Sequence, residues 1–512
     1  MSRQNKGPMQ RRLSKSRFIA GWQCPLRLWY AVHRPDLAPP PDERQQAIFD
    51  SGHRIGELAQ QRYPGGRLIA ADFRQTEEAR HETEALMAEP AIPALYEPAI
   101  LHRNVLTRVD VLARSESGWD LIEVKSSTKA KEVFKVDAAV QHWILRGAGV
   151  SVERAGLLLL NRDYVYPGGG YDLQSLFRFE DLTEECQSRQ GWVEERVERF
   201  HAVAAEPAPP DIEPGEQCSD PYPCPFISHC WQGQERPANP VTLLPNLYSD
   251  HVQSLREQGI EALEDLPLDY RLSDLQHRVR DATLSGEPWQ SGSLKAALEE
   301  VSWPLFYLDF EAAMVALPPY PGTRPYDPLP FQFSCHVQRT PDAALEHREF
   351  LATEEGDPRW PLAEALLAAL GESGSIIVYS GYEKATINRL AQALPDQAER
   401  LRALIPRLVD LLAIVRSHYY HPDFRGSWSI KKVLPALVDG MDYQDMEVAD
   451  GEAAGRAWQQ MLASDDAAER ERLDAALRAY CGQDSLAMYE LREALLGQAS
   501  QGNQNRESGA SS

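Results

Sequence analysis

The sequence predicts an α/β protein with two α/β domains joined by a helical connector. Three observations point there. Strand-like apolar runs alternate with helical patterns along most of the chain, the signature of mixed layers. At 512 residues the chain exceeds what one core organises. Charged residues spaced i, i+2 interrupt otherwise apolar strands in two separate regions, Glu123/Lys125 after Asp110 and Asp309/Glu311.

The first region spans Arg108 to Leu145. Apolar runs at Leu106–Ala113 and Trp119–Val124 flank a polar turn with Ser115, Ser117 and Gly118, a β-hairpin pattern. Residues i and i+2 of a strand share a face, so Glu123 and Lys125 project together. Asp110, placed within the first strand, reaches the same patch. Two carboxylates hold Mg²⁺ or Mn²⁺ through oxygen, and a lysine positions the attacking water or neutralises a phosphate. A helix follows, carrying Gln141. Lys125, Lys129, Lys131 and Lys135 line the turn and helix, as a nucleic-acid groove or a solvated face.

This D…ExK…Q arrangement resembles the PD-(D/E)XK nucleases, in their RecB-type branch, which includes the CRISPR adaptation nucleases. The resemblance implies a restriction-endonuclease-like mixed sheet flanked by helices. In it Asp110 and Glu123 bind the metal, Lys125 acts on the water and Gln141 orients the site. It also implies an extra metal or water contact on the helix over Ala47–Tyr63, assigned to Glu57 with His53 as the alternative.

Leu13–Tyr30 reads as an amphipathic helix opened by a Ser cap and broken at Cys24-Pro25. A further helix is expected over Arg74–Ala88 and a strand over Ala99–Val105. Ala155–Leu160 is a buried strand and Thr183–Ala205 a long acidic helix with Cys186 as a structural thiol. A Pro-rich linker at Ala208–Pro214 leads into Cys218, Cys224 and Cys230, with five residues between neighbours. Clustered cysteines in a reducing compartment suggest metal rather than disulfides. The RecB-type resemblance adds Cys24 as the first ligand of a [4Fe-4S] cluster. Five-residue spacing departs from the tighter CxxC of many such relatives, so zinc, with His229 as a substitute ligand, stays open.

Residues 237–302 read as a helical connector with pieces at Tyr248–Glu257, Ile260–Leu266 and Leu272–Ser285. Gly259 between the first two gives a plain helical spacer or a helix-hairpin-helix element.

The second region begins at LFYLDFEAAM, whose Asp309 and Glu311 share one side of an apolar strand. Two acids there cost stability unless a cation holds them. SIIVYS over Ser375–Ser380 is a buried strand, followed by a helix over Glu383–Leu394. RLVDLLAI carries Asp410, and a helix over Leu473–Leu495 presents Tyr480 and Asp484 one turn apart. DxE and YxxxD in this order resemble the DEDD (DnaQ-like) 3′–5′ exonucleases, which implies an RNase H-like fold. Asp309, Glu311, Glu383 and Asp484 then bind two metals, Tyr480 orients the water, and Asp410 is the third acid or a supporting residue. The family carries Asp where this chain has Glu383.

The expected organisation is a flexible start over 1–12, a nuclease domain over 13–236, the connector, an exonuclease domain over 303–497 and a disordered tail over 498–512. A net charge of −23 excludes a broad nucleic-acid-coating surface, although a local basic groove suffices for a nuclease. No apolar run reaches membrane-span length, and the basic polar start lacks an apolar signal region, so a cytoplasmic protein is expected. Together the motifs resemble a bacterial fusion of the two nuclease types. They imply metal-dependent hydrolysis of DNA, or of RNA. A non-enzymatic metal-cluster nucleic-acid-binding or adaptor protein is the other class.

Overall fold

The computed structural model describes residues 12–71, 75–233, 237–443 and 446–509, so most of the expected flexible start lies outside them. The chain divides into two compact α/β units. One takes Met1–Gln234 and Ala316–Tyr326, the other Glu235–Val315 and Asp327–Ser512, so the connector belongs with the second.

The first unit opens with β1 (Leu13–Ser14), α1 (Lys15–Gln23) and α2 (Pro25–His33). The Ser14 hydroxyl caps α1 by accepting from Arg17 N–H at 3.2 Å. Helix α1 ends where Pro25 removes a donor and starts α2 as its first residue. Phe18 meets Phe200 edge to face, ring centroids 5.0 Å apart. The α3 helix spans Glu43–Gln61 and α4 Thr76–Met87, with β2 at Arg67–Leu68 between them.

Six strands form the main sheet, in the order β2-β3-β6-β7-β8-β9, with β3 at Ala94–Tyr96, β6 at Val111–Arg114, β7 at Trp119–Lys125, β8 at Val152–Leu160 and β9 at Phe177–Asp181. The β6–β7 hairpin is antiparallel, pairing Val111 with Ile122. Parallel pairing of β7 with β8 follows the crossover helix α5 (Glu132–Gly147). Helix α5 is buried from Val136 to Leu145, including the polar Gln141 and His142. The run of leucines in β8 is buried on both faces, as a parallel central strand requires.

In the second unit β10 (Trp289–Gln290) pairs with β16 (Tyr419–Tyr420). The five-stranded sheet runs β13-β12-β11-β14-β15, over Glu346–Leu351, Pro328–Gln338, Leu305–Met314, Ser375–Val378 and Leu408–Asp410. β13, β12 and β11 are antiparallel neighbours, whereas β14 and β15 run parallel to β11. A register shift falls between Glu311 and Ala312 in β11, where bulges commonly re-aim side chains.

Several expectations change. The run Leu106–Ala113 is not one strand. It divides into β5 (Val105–Arg108), which joins β1 and β4 (Ala99–His102) in a small sheet, and β6. The expected strand Ala99–Val105 is likewise a hairpin, with Arg103 and Asn104 at positive φ in its turn. Thr183–Ala205 breaks into Thr183–Ser188 and Gln190–Ala205. Gly259 does turn at φ +75°, but Ile260–Leu266 holds only a 3₁₀ turn at Leu263–Asp265, so the helix-hairpin-helix reading is withdrawn. Pro240 bridges Ala262 there, taking the backbone into an extended pairing. The last helix runs Ala467–Gly509, through residues assigned by composition to a tail.

Leu308 lies between tyrosine and aspartate on β11 with no exposed surface. Leu308→Ala is expected to cost about 2–5 kcal/mol in chemical denaturation. A loss below about 1 kcal/mol would mean that this strand is not packed as described.

Candidate active sites

In the first unit the break between β5 and β6 places Asp110 at a kink, not in a strand as expected. Its Oδ2 accepts from Val124 N–H at 2.6 Å, which fixes the carboxyl beside the end of β7. Glu123 is 1 % exposed. Its Oε1 accepts from Lys125 Nζ at 2.6 Å and from Lys15 Nζ at 2.8 Å. Its Oε2 accepts from Gln141 Nε2 at 2.6 Å. Lys125 also donates to Asp137 Oδ2 at 2.8 Å. Thr107 donates to Gln141 Oε1 at 3.3 Å and fixes the amide's orientation.

The structure therefore brings Asp110, Glu123, Lys125 and Gln141 together. It adds Lys15 and Asp137, which sequence reasoning missed. Asp137 stands four residues before Gln141, one turn along the same face of α5, and that spacing was a usable signal. No local pattern in the sequence singles out Lys15. Glu57, assigned as an extra metal or water contact, is exposed on α3. On α3 the buried positions are Ile55 and Ala59, so the phase of the helix turns Glu57 outward. The alternative, His53, is exposed too but lies close enough to bear on Glu97, beside the cluster. Of the four lysines proposed as a groove, Lys125 is used within the site and Lys135 pairs with Glu185 at 3.2 Å. Lys129 and Lys131 remain exposed.

Burial and the charge of Glu123 push the Asp110 carboxyl up to about 8. Burial would raise Glu123 too, but Lys125 and Lys15 overcome it and hold that carboxyl well below its usual range. Two buried carboxyls of unequal acidity beside a lysine suit a hard divalent cation, which would let Asp110 ionise.

In the second unit Asp309, Glu311 and Cys481 bring ligand atoms within 4.8 Å of one another. Cys481 Sγ lies 3.6 Å from Asp309 Oδ2. Neither Cys481 nor its neighbours Lys431 and Tyr443 were anticipated. Tyr443 donates to Asp484 Oδ1 at 2.6 Å, and Lys431 donates to the Tyr480 hydroxyl at 3.2 Å. Gly451 starts a helix beside Glu311, close enough that a Cβ there would sit 3.3 Å from Oε2. Glu383 begins the helix Tyr382–Ala393, is buried, and leaves Oε2 without a hydrogen-bond partner.

Burial, then Asp484, Glu311 and Glu383, drive the Asp309 carboxyl far above its ordinary value. Burial and Asp484 raise Glu311 to about 8, and burial raises Glu383 to about 8. Burial raises Asp484 as well. Half-buried Asp309 feels the buried Asp484, Glu311 and Glu383, and a set of four acids with one orphaned oxygen fits divalent cations. Asp410 takes a different place. It caps the helix Leu411–His418, accepting from Ala413 N–H at 3.2 Å, and bears on Glu383.

The cysteines Cys24, Cys218, Cys224 and Cys230 form no disulfide and lie close enough that Cys224 and Cys230 feel the other thiols. Burial, then Cys224, Cys218 and Cys24, push the Cys230 thiol up to about 11. Gln23 ties the end of α1 to the cysteine loop, donating to the carbonyls of Gln217 at 2.6 Å and Tyr222 at 2.7 Å. A set of four thiols from two ends of the unit fits a thiophilic metal group. His229 is exposed and stacks edge-on against Tyr30. Cys186 is buried alone on its helix.

Protonated acids in the second unit set a pH dependence. Glu311 and Glu383 have folded values near 8 against an ordinary 4.5, so the folded state holds more protons between these limits. Their contribution is complete below about pH 4.5 and is lost as pH rises towards about 8. Thermal melts with chelator should show a falling Tm across this window, and Mn²⁺ should recover more at its upper end. Glu383→Gln should flatten part of the slope. A slope identical in that variant would remove Glu383 from the cluster.

Residues 306–429 match a family model described as a domain of unknown function (DUF2779). The matched stretch contains Asp309, Glu311, Glu383 and Asp410 and ends before Tyr480 and Asp484. A search of curated proteins finds no match to the chain. Among the described residues no helix is long and apolar enough to cross a membrane.

Proposed function

We propose that this chain is a metal-dependent nuclease with two phosphodiester-hydrolysing sites, acting on DNA or RNA with free ends. The observation that carries the reading is the convergence of Asp110, Glu123, Lys125 and Gln141 in one buried cluster, built from a hairpin and the helix that follows. A strand–strand–helix–strand core with that cluster at the end of β7 supports the PD-(D/E)XK resemblance. The 3-2-1-4-5 strand order of the second unit, its second strand antiparallel, supports the RNase H-like one.

A divalent ion held by these carboxylates would activate water and offset charge on the phosphate. Within the first site, Lys125 is positioned by Asp137 to meet the water or the phosphate, and Gln141 keeps Glu123 in one orientation. In the second, Asp309, Glu311, Glu383 and Asp484 are the proposed ligands. Tyr480, held by Lys431, orients the water. Glu383 reaches one methylene further than Asp would, and its unpartnered Oε2 is available for that reach.

For the cysteines, an iron–sulfur cluster is favoured over zinc. The preference follows the two-ended set, one thiol from the start of the unit and three from its end, which the RecB-type resemblance implies for a [4Fe-4S] cluster. Cys218→Ser should lower bound iron and acid-labile sulfide in protein prepared without oxygen. Zinc at one equivalent with no sulfide would reverse that preference.

The test of the nuclease reading is a time course on 5′- and 3′-labelled single-stranded DNA and RNA with Mn²⁺. Lys125→Ala and Asp309→Ala should each lower cleavage at their own site by roughly 10²-fold or more. Activity untouched by both variants, or no cleavage of any substrate, would favour a binding or adaptor protein.

A further inference from the structure

Glu123 Oε1 is crowded by two cations. Two ammonium groups share Oε1, Lys125 at 2.6 Å and Lys15 at 2.8 Å, and the Gln141 amide takes Oε2 at 2.6 Å. A dication that ligates Glu123 through Oε1 takes the place of one of the two ammonium groups there. Gln141 is fully buried and anchored on its other side by Thr107. Lys125 has a second short contact, 2.8 Å to Asp137 Oδ2. Lys15 has the longer contact to Glu123, and its approach to Asp137 Oδ1 is 3.5 Å. It is the donor held least tightly.

We propose that Lys15 is the counter-ion that a divalent cation displaces from Glu123 when the first site loads. The proposal rests on reading that site as a metal centre. While the site is empty, Lys15 keeps the buried carboxylate paired and in place, which spares the cost of an uncompensated charge. Its backbone does not have to move on displacement. Leu13 and Ser14 are fixed by parallel pairing to Val105 and Leu106, and Ser14 caps the helix that Lys15 begins. The four methylenes of the side chain allow the ammonium to swing away, and its side chain is 23 % exposed. The released ammonium is then free to pair with a phosphate of the polymer. Lys15 is thus a positioning residue, acting through Glu123.

The test is direct Mn²⁺ binding, followed by electron paramagnetic resonance on the full-length chain without nucleic acid, in an Asp309→Ala background that weakens the second site. Lys15→Met and Lys15→Gln both remove the competing charge, and each should tighten Mn²⁺ binding by roughly tenfold or more. Lys15→Arg keeps the charge and should bind as the parent does. A residue that only stabilises the fold would leave the affinity unchanged or weaken it, and that result in a folded Lys15→Gln chain overturns the proposal. Glu123→Gln separates the two readings. If it abolishes binding while the Lys15 variants change nothing, the counter-ion role alone falls. If it leaves binding intact, the metal reading of the first site falls with it.

Discussion

The constraint on which both units turn is the burial of carboxylates among like charges. Inside a protein an ionised acid without a partner is costly, and two acids side by side raise each other's proton affinity. The two units answer this in different ways. The first supplies ammonium and amide donors, so Glu123 stays ionised while burial and the charge of Glu123 drive Asp110 and Asp137 towards their neutral forms. The second supplies a phenol to Asp484 and a thiol to Asp309, and leaves Glu311 and Glu383 shifted upward. In the first cluster two ammonium groups touch the buried carboxylate directly, whereas in the second Lys431 bears on Glu311 and Asp484 and the carboxyls stay shifted upward.

The elements that carry these acids are chosen for rigidity. Glu123 ends a strand paired on both sides, and Asp309 and Glu311 sit on the central strand of their sheet. Pairing of Glu123 with Leu157, Asp309 with Ser334 and Glu311 with Gln332 fixes where these side chains emerge. Helices then bring the remaining groups: α5 brings Gln141 and Asp137, and the final helix brings Tyr480, Cys481 and Asp484. The cysteine loop adds a link within the first unit. Gln23 and Cys24 close α1 at the thiols, while Lys15 opens the same helix at the acids. Tyr222, between two of the cysteines, lies near enough to Lys125, Asp137 and Glu123 to feel their charge. Nine residues of helix thus span from the proposed cluster to the proposed metal centre.

Much of this was legible in advance. Period-two spacing placed Glu123 with Lys125 and Asp309 with Glu311, and a one-turn spacing placed Tyr480 with Asp484. Leu305–Met314 is a strand over the residues its apolar run suggested. The misplacements share a cause. Asp110 read as part of a continuous strand because apolar periodicity runs unbroken through Val109, yet the chain changes sheets there, which a linear pattern does not encode. Glu57 was assigned through the family resemblance, and packing of Ile55 and Ala59 decides which face of that helix turns inward.

The sequence by itself determined the α/β class, the acidic pairs and the grouping of three late cysteines, because each is written in short-range spacing along one element. Tertiary structure alone decided the partners that come from far along the chain. Lys15 reaches Glu123 across 108 positions, and Cys481 reaches Asp309 across 172. It also decided that Asp137 joins the first cluster and that Asp410 caps a helix instead of completing the second. Charge compensation depends on distances between elements, and those are set by how sheets and helices pack.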